Sequence, residues 1–346
     1  MKIPPVFIDA VGALEFDEVK RFVPWSSLRL DRFLDKVIEM SNSDLDAAKA
    51  TPKSKGKAKA GTIVTRMRDL VPFREPNGSI ELGSGTAGTV YLFRHAKTNE
   101  PVALKVIALP PWSDDDSKKS AIEKLQNEMK ILQRLGCMEW FPEFYGCCKV
   151  RKDVVGIAME FCGDVEKGES YSILNCIDGK GPKLDKDAWM NVMLDLADGL
   201  TVMHKKGFLC NDLKEDNVLL VKSGEEWRAK IIDFGWSSDM NMLFPAWMPF
   251  TARQKHDYKY SQAYNYIAPE CALKGKGFSE SSDIYSLGRL AAFVGQEIPG
   301  LKELGDYGFN IYSCARGKRP SLQEFSQEIS YLRSRSNESD SDEDLV

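Results

Sequence analysis

The sequence predicts an α+β protein built in two parts: a small antiparallel sheet carrying one helix, and a larger, mainly helical region after it. Three observations carry this. Between residues 72 and 109, β-branched and aromatic residues come in short runs around a glycine-rich turn. Residues 117–135 then place Ile122, Leu125, Met129, Leu132 and Leu135 on one helical face. After Gly163 the apolar period is helical, as in Trp189, Val192, Met193, Leu196, Leu200 and Met203.

Taken in order, residues 1–50 form a partly helical extension, with Phe22, Leu28, Leu30, Phe33, Leu34, Val37 and Ile38 in a rough stripe. Residues 51–71 form a basic linker opening Thr51-Pro52-Lys53-Ser54-Lys55-Gly56-Lys57-Ala58-Lys59. Its alternating lysines read as a solvated connection, with a nuclear address or an anionic-surface contact as the alternative. The sheet region, 72–162, begins with Ile80-Glu81-Leu82 entering the glycine turn and Thr89-Val90-Tyr91-Leu92-Phe93 leaving it. Val102–Leu109 is a third strand, and Phe144–Cys148 and Val154–Phe161 are two more. The helical region, 163–333, follows. Residues 334–346 are rich in serine and acid and are expected to be disordered.

Composition excludes several classes. Hydrophobic residues make up 43% of the 346 and charged residues 28%, enough for a true core. Forty-seven basic against 51 acidic residues give a net charge of −4, so there is no global nucleic-acid signature. Eight cysteines show no CxxC or Cys/His spacing, which argues against a zinc site and for reduced thiols. No secretory leader, membrane-length apolar run or lipidation motif is seen, and a cytoplasmic or nuclear location is expected.

Five motifs carry chemistry. The first is Gly83-Ser84-Gly85-Thr86-Ala87-Gly88-Thr89-Val90. Glycines at 83, 85 and 88 let backbone approach phosphates closely and offer them N–H groups. The β-branched and aromatic run after the loop makes it join strand to strand, against the strand-to-helix turn of a dinucleotide site. Next come Lys105 in Val102-Ala103-Leu104-Lys105, then Asp212-Leu213-Lys214-Glu215-Asp216-Asn217, Asp233-Phe234-Gly235 and Ala268-Pro269-Glu270. In this order they supply the groups that phosphoryl transfer from ATP-Mg²⁺ requires. Over residues 72–333 the chain resembles a eukaryotic protein kinase of the serine/threonine type.

The resemblance implies a bilobal protein kinase fold with ATP and Mg²⁺ as cofactors and a protein as substrate. Lys105 would hold the α- and β-phosphates. Its ion-pair partner would be Glu128, in Asn127-Glu128-Met129-Lys130-Ile131-Leu132, with Glu123 as the fallback. The alternative for Glu128 is a solvated helix charge pairing Lys124. Adenine would lie against Val90, Ala103, Met159, Glu160, Cys162 and Leu219. Asp212 would be the general base, Lys214 would neutralise the γ-phosphate, and Asn217 and Asp233 would ligate magnesium. Asp283 would tie down the catalytic-loop backbone, and Arg319 would pair with Glu270. Regulatory contacts through the N-terminal extension or the acidic tail are open. The alternative function is an ATP-binding pseudokinase acting as a scaffold.

Four departures from the pattern matter. Cys210-Asn211-Asp212 stands where the family has His-Arg-Asp, so no arginine beside the base can grip an activation-segment phosphate. Little dependence on that phosphorylation is therefore expected, and Cys210 would fill apolar space beneath Phe234. Ala263 stands where a threonine usually braces Asp212 and Lys214. The stretch from Asp283 to Arg319 is short, so substrate recognition cannot be carried over. Cys162 is either reachable by an electrophile or a buried thiol, and Tyr258, Tyr260 and Tyr264 are either phosphorylated or packed locally.

Overall fold

The computed structural model describes Val64 and residues 66–73, 80–85, 88–108, 115–151, 154–240, 250–261 and 264–343, with backbone alone at 107–108, 115–123, 151 and 336–343. The extension 1–50, most of the linker, Thr86, Ala87 and Ala263 lie outside these residues, as do the side chains of Ile122 and Glu123. The chain divides into two compact units. The first runs to Met138 and includes 142–161 and 165–169; the second holds 139–141, 162–164 and everything from Ser170.

The first unit is an antiparallel sheet with one long helix. Its strands are β1 (Leu70–Pro72), β2 (Ile80–Gly85), β3 (Gly88–His95), β4 (Pro101–Ala108), β5 (Phe144–Arg151) and β6 (Val154–Glu160). They are ordered β1-β3-β4-β6-β5, with β2 also on β3. Strand alternation sorts the residues. Tyr91, Phe93, Val102, Leu104 and Val106 enter one buried cluster with Tyr145, Cys148, Val154 and Ala158. Their neighbours in sequence must then face the other way. Register aligns Val90 with Lys105 and Ile157, and Leu92 with Ala103 and Met159, so these share the opposite face. Helix α1 (Asp115–Leu135) buries Leu125, Met129, Ile131, Leu132 and Leu135. It ends at Gly136, whose φ of +67° is the left-handed residue that closes a helix.

The second unit is mainly helical. After β7 (Tyr171–Ser172) and α2 (Ile173–Ile177), helix α3 (Lys186–Lys205) starts where Asp185 Oδ1 accepts from Ala188 N at 2.7 Å. Its expected stripe, Trp189 through Met203, is buried. Strands β8 (Phe208–Leu209), β9 (Val218–Ser223) and β10 (Glu226–Ile231) follow, with β11 (Ser238–Asp239) pairing β8. The β9–β10 hairpin turns through Gly224 at φ +64°, the left-handed state such tight turns require. Asp195 on α3 pins the hairpin by accepting from Ala229 N and from Arg228 Nε.

Helices α4 (Ala252–Tyr260), α5 (Pro269–Ala272), α6 (Glu280–Glu297), α7 (Lys302–Ser313) and α8 (Leu322–Glu343) complete the unit. The last is a correction. Disorder was expected from 334, yet the helix runs to Glu343. Ser321 and Glu324 cap its start reciprocally and Phe325, Ile329 and Leu332 anchor it, after which each further residue fixed adds a backbone hydrogen bond with no new nucleation cost.

Arg319 forks onto Glu270, with Nη1 to Oε1 at 2.6 Å and Nη2 to Oε2 at 2.9 Å, and both side chains are buried. Burial pushes the Glu270 carboxyl up, but the Arg319 hydrogen bonds and charge outweigh it and hold the group below the ordinary glutamate value. A carboxyl lowered by folding stabilises above its unfolded value, and that stability is lost as pH falls through the folded value. Arg319→Met leaves the buried carboxylate unpaired and is expected to cost about 3–5 kcal/mol. The check is denaturant unfolding from pH 7 downward: the deficit should be largest at neutral pH and shrink as Glu270 protonates.

Candidate active site

In the first unit the register gathers Val90, Ala103, Lys105 and Met159 on one sheet face. Lys105 Nζ donates to both carboxylate oxygens of Glu128, at 2.8 and 2.9 Å. Both residues are buried, so each charge depends on the other for solvation. Glu128, rather than a solvated partner of Lys124, is thus the residue α1 brings to the lysine. The Glu160 carboxylate accepts from Glu143 N at 3.1 Å.

Gly83 and Gly85 stand opposite Val90 and Gly88 in the β2–β3 ladder. A Cβ at either would meet nothing within 4 Å. Internal packing therefore does not demand glycine at either position. Gly88, at φ +124°, needs glycine for its own backbone.

In the second unit a fully buried Asp283, at the start of α6, accepts from Cys210 N at 2.9 Å and Asn211 N at 2.8 Å. His204 Nε2 lies 2.8 Å from the same carboxylate. These bonds hold Asn211 at φ +64°, a strained state for a side-chain-bearing residue. Asp233 at +61° and Tyr264 at +62° share it, so three of the four such residues among those described lie in these loops.

The loop presents Asp212 beside Lys214 and Asn217. Lys214 Nζ donates to Asp212 Oδ2 at 3.0 Å. Asn217 Nδ2 donates to Asp212 Oδ2 at 2.7 Å and to its carbonyl at 2.9 Å. Both amide protons are thereby used, which leaves the Asn217 carbonyl oxygen as a ligand. Burial raises the Asp212 carboxyl above its ordinary value; Lys214 and a hydrogen bond from the Tyr266 hydroxyl pull it back, and the Asp233 charge adds to the rise. Asp233 caps the short turn Phe234–Trp236. A carboxylate and an amide oxygen are hard donors that fit Mg²⁺, which fills its shell with water and phosphate rather than an all-protein cage.

The departures acquire definite geometry. Asn211 Nδ2 donates to Trp236 O and to Ser238 Oγ, each at 2.9 Å, tying the catalytic loop to the segment after Asp233 without any charge. Cys210 is buried, its thiol pushed well up by desolvation, and its carbonyl accepts from Ser237 Oγ. Phe234 packs edge-on against Phe141 at 5.9 Å. Cys162 is 3% exposed and its carbonyl accepts from Ser170 Oγ, so of the two readings the structure takes the buried thiol. Leu219 lies opposite Ser172 and Lys230. Tyr258 donates to Ile267 O and Tyr264 packs edge-on against Phe250, whereas Tyr260 is 75% exposed.

A sequence model of the protein kinase domain matches residues 78–312, about two thirds of the chain. The chain belongs to the protein kinase domain family. Its relatives include a mitogen-activated protein kinase kinase kinase, MCK1, of Pyricularia oryzae, 29% identical over 249 residues, 70% of this chain and 15% of that one. The serine/threonine-protein kinase pakE of Dictyostelium discoideum is 29% identical over 224 residues, 65% of this chain and 20% of that one. Mouse Aurora kinase B is 27% identical over 259 residues, 73% and 66% respectively. The chain thus spans less than two thirds of each of these relatives. No helix among the described residues is long and apolar enough to cross a membrane.

Within this protein kinase domain, two groups that the motif reading did not name touch the central residues: His204 at Asp283 and the Tyr266 ring at Lys214. The first carried no signal beyond its place on α3. The second stands two residues before Ala268-Pro269-Glu270, where an aromatic could have been weighed as a substitute for the brace missing at Ala263.

Proposed function

We propose that this protein kinase domain is an active enzyme that transfers the ATP γ-phosphate to a serine or threonine hydroxyl of a protein. The observation that carries the reading is the buried Asp212 carboxylate, gripped by Lys214 and Asn217 beside Asp233. A carboxylate buried at a cost, with Lys214 as the cation that touches it among the described residues, suits a base that accepts a proton from a substrate hydroxyl. Lys214, half-buried, would then turn to the γ-phosphate. Lys105, oriented by Glu128, would hold the α- and β-phosphates beneath the backbone of Gly83, Gly85 and Gly88.

Val90, Ala103, Met159, Glu160, Cys162 and Leu219 are the proposed adenine contacts. Asn217 and Asp233 are the proposed magnesium ligands; a bound Mg²⁺ would neutralise charge on the phosphates. Asn211 supports little dependence on activation-segment phosphorylation, because its amide makes neutral hydrogen bonds to Trp236 and Ser238 where a phosphate would need an arginine. Names such as serine/threonine-protein kinase among the relatives, and the presence of Lys214, support hydroxyl over phenol specificity.

The test is transfer of labelled γ-phosphate to a mixed serine/threonine/tyrosine protein substrate and to the chain itself, with magnesium and with chelator. Magnesium-dependent phosphoserine or phosphothreonine, undiminished after phosphatase treatment of the kinase, is the expected result. Nucleotide-induced thermal stabilisation with no transfer would instead assign the chain to the scaffold class.

A further inference from the structure

We propose that the lysine face of α4 is a docking surface for an acidic stretch of the protein substrate, so that the kinase prefers a hydroxyl with carboxylates on one side of it. This inference rests on the kinase reading above. The chain as a whole is acidic, with a net charge of −4. Residues 241–279 run the other way: Arg253, Lys255, Lys259, Lys274 and Lys276 stand against Asp257 and Glu270 alone. Both acids are committed. Arg319 forks onto Glu270, and Asp257 lies 4.0 Å from Arg253 and 3.6 Å from His256. None of the four lysines forms an ion pair among the described residues. The stretches 241–249 and 262–263, outside those residues, contain no acid.

Folding does not account for these cations. Helix α4 buries no residue and has no acid in its first turn, where Arg253 opposes the helix dipole. Lys255 and Lys259, four apart, share one face and repel each other. The helix is nevertheless fixed beside the site. Tyr258 donates to Ile267 O at 3.0 Å and packs with Leu273 and Phe278 on the cluster around Phe250 and Cys271. Lys274 and Lys276, exposed between Leu273 and Phe278, rim the same cluster. One residue before Ile267, the Tyr266 ring lies 5.0 Å from Lys214 Nζ, which holds Asp212 at 3.0 Å. Unpaired lysines on an element tied to the proposed base attract carboxylates and repel a basic peptide. Glu215 and Asp216, in the catalytic loop itself, repel acid there, which confines the preference to one side of the acceptor.

The probes are serine peptides with four glutamates before the hydroxyl, four after it, or alanine in their place. One glutamate peptide should exceed the alanine peptide about tenfold in kcat/KM, an advantage that shrinks as salt rises from about 0.05 to 0.5 M. Lys255→Glu with Lys259→Glu should abolish the advantage, while KM for ATP and kcat/KM for the alanine peptide stay within about twofold. Lys255→Gln with Lys259→Gln, the milder pair, should reduce it. Fluorescence anisotropy of the labelled glutamate peptides reads the surface without activity, and the same two lysines should be needed for binding. Equal binding or equal kcat/KM across the three peptides, or an advantage that survives charge reversal, overturns the proposal. Lysine-dependent binding that appears only after Asp340→Asn, Asp342→Asn and Asp344→Asn gives the surface to the chain's own acidic end and overturns the substrate assignment. Lysine-dependent binding with no transfer to any peptide or to the chain itself overturns the kinase reading, and leaves the acid-binding surface established.

Discussion

Asp212→Asn is expected to leave a folded protein that binds nucleotide and transfers almost no phosphate. The amide is nearly isosteric with the carboxylate, and its oxygen can still accept from Lys214 or Asn217, whose contacts are 3.0 and 2.7 Å. What it cannot do is take a proton. Removing a positioned general base costs about 10²–10⁴-fold in rate. Stability should not fall with it. Burial works against the Asp212 charge and raises its carboxyl above the ordinary value, so above that range the ionised group opposes folding. A neutral amide removes the opposition, and the melting temperature at neutral pH is expected to equal or exceed that of wild type. The pairing of lost transfer with kept or gained stability separates a catalytic role from a structural one. Equal transfer by both proteins would mean that Asp212 is not the base.

That site was legible in the sequence to the extent that its geometry is local. Lys105 lies between Leu104 and Val106 on a strand, and strand alternation alone puts it opposite the core cluster those two enter. Glu128 stands one position before Met129 and three before Ile131, inside a buried helical stripe, so the helix that packs on the sheet must bring it inward. The Arg319–Glu270 fork and the Asp283 anchor were implied by the resemblance to the kinase family and not by local pattern.

Contacts set by chain reversal were not legible. The missing arginine at Asn211 read as a lost grip, yet the amide forms two hydrogen bonds to residues past Asp233. Nothing in a string of letters places Tyr266 under Lys214, because that depends on where a separate helix pins the carbonyls of Asn265 and Tyr266. The sequence left Cys162 open between a reachable and a buried thiol, and tertiary packing decides for the buried one. The helical run to Glu343 defeated composition for a different reason, since the capped start and the anchors ahead of it carry the segment.

The contact between α6 and α7 was written in the sequence in a form easily passed over: Gly288 and Gly295 recur seven apart on one helix, Gly305 and Gly308 three apart on the next. Each pair falls on one helical face. A Cβ on Gly295 would stand 2.2 Å from Gly305 N and 2.3 Å from its Cα, and one on Gly308 would stand 2.3 Å from Ala292 N. These obstacles are backbone, which cannot rotate aside as a side chain does. In an open helix, alanine for glycine gains up to about 1 kcal/mol. Here the helices must separate along their length, and overpacking of this kind costs about 3 kcal/mol or more. Gly295→Ala is therefore expected to lower the melting temperature of the second unit by about 6–12 °C. Because Asp283 sits on the same helix, the loop bearing Asp212 should lose its anchor as α6 shifts, and transfer should decline well below the unfolding temperature. Gly277→Ala is the matched control: nothing lies within 4 Å of its Cβ, and a change within about 0.5 kcal/mol is expected. If Gly295→Ala melts with Gly277→Ala, the two helices do not meet through their glycines.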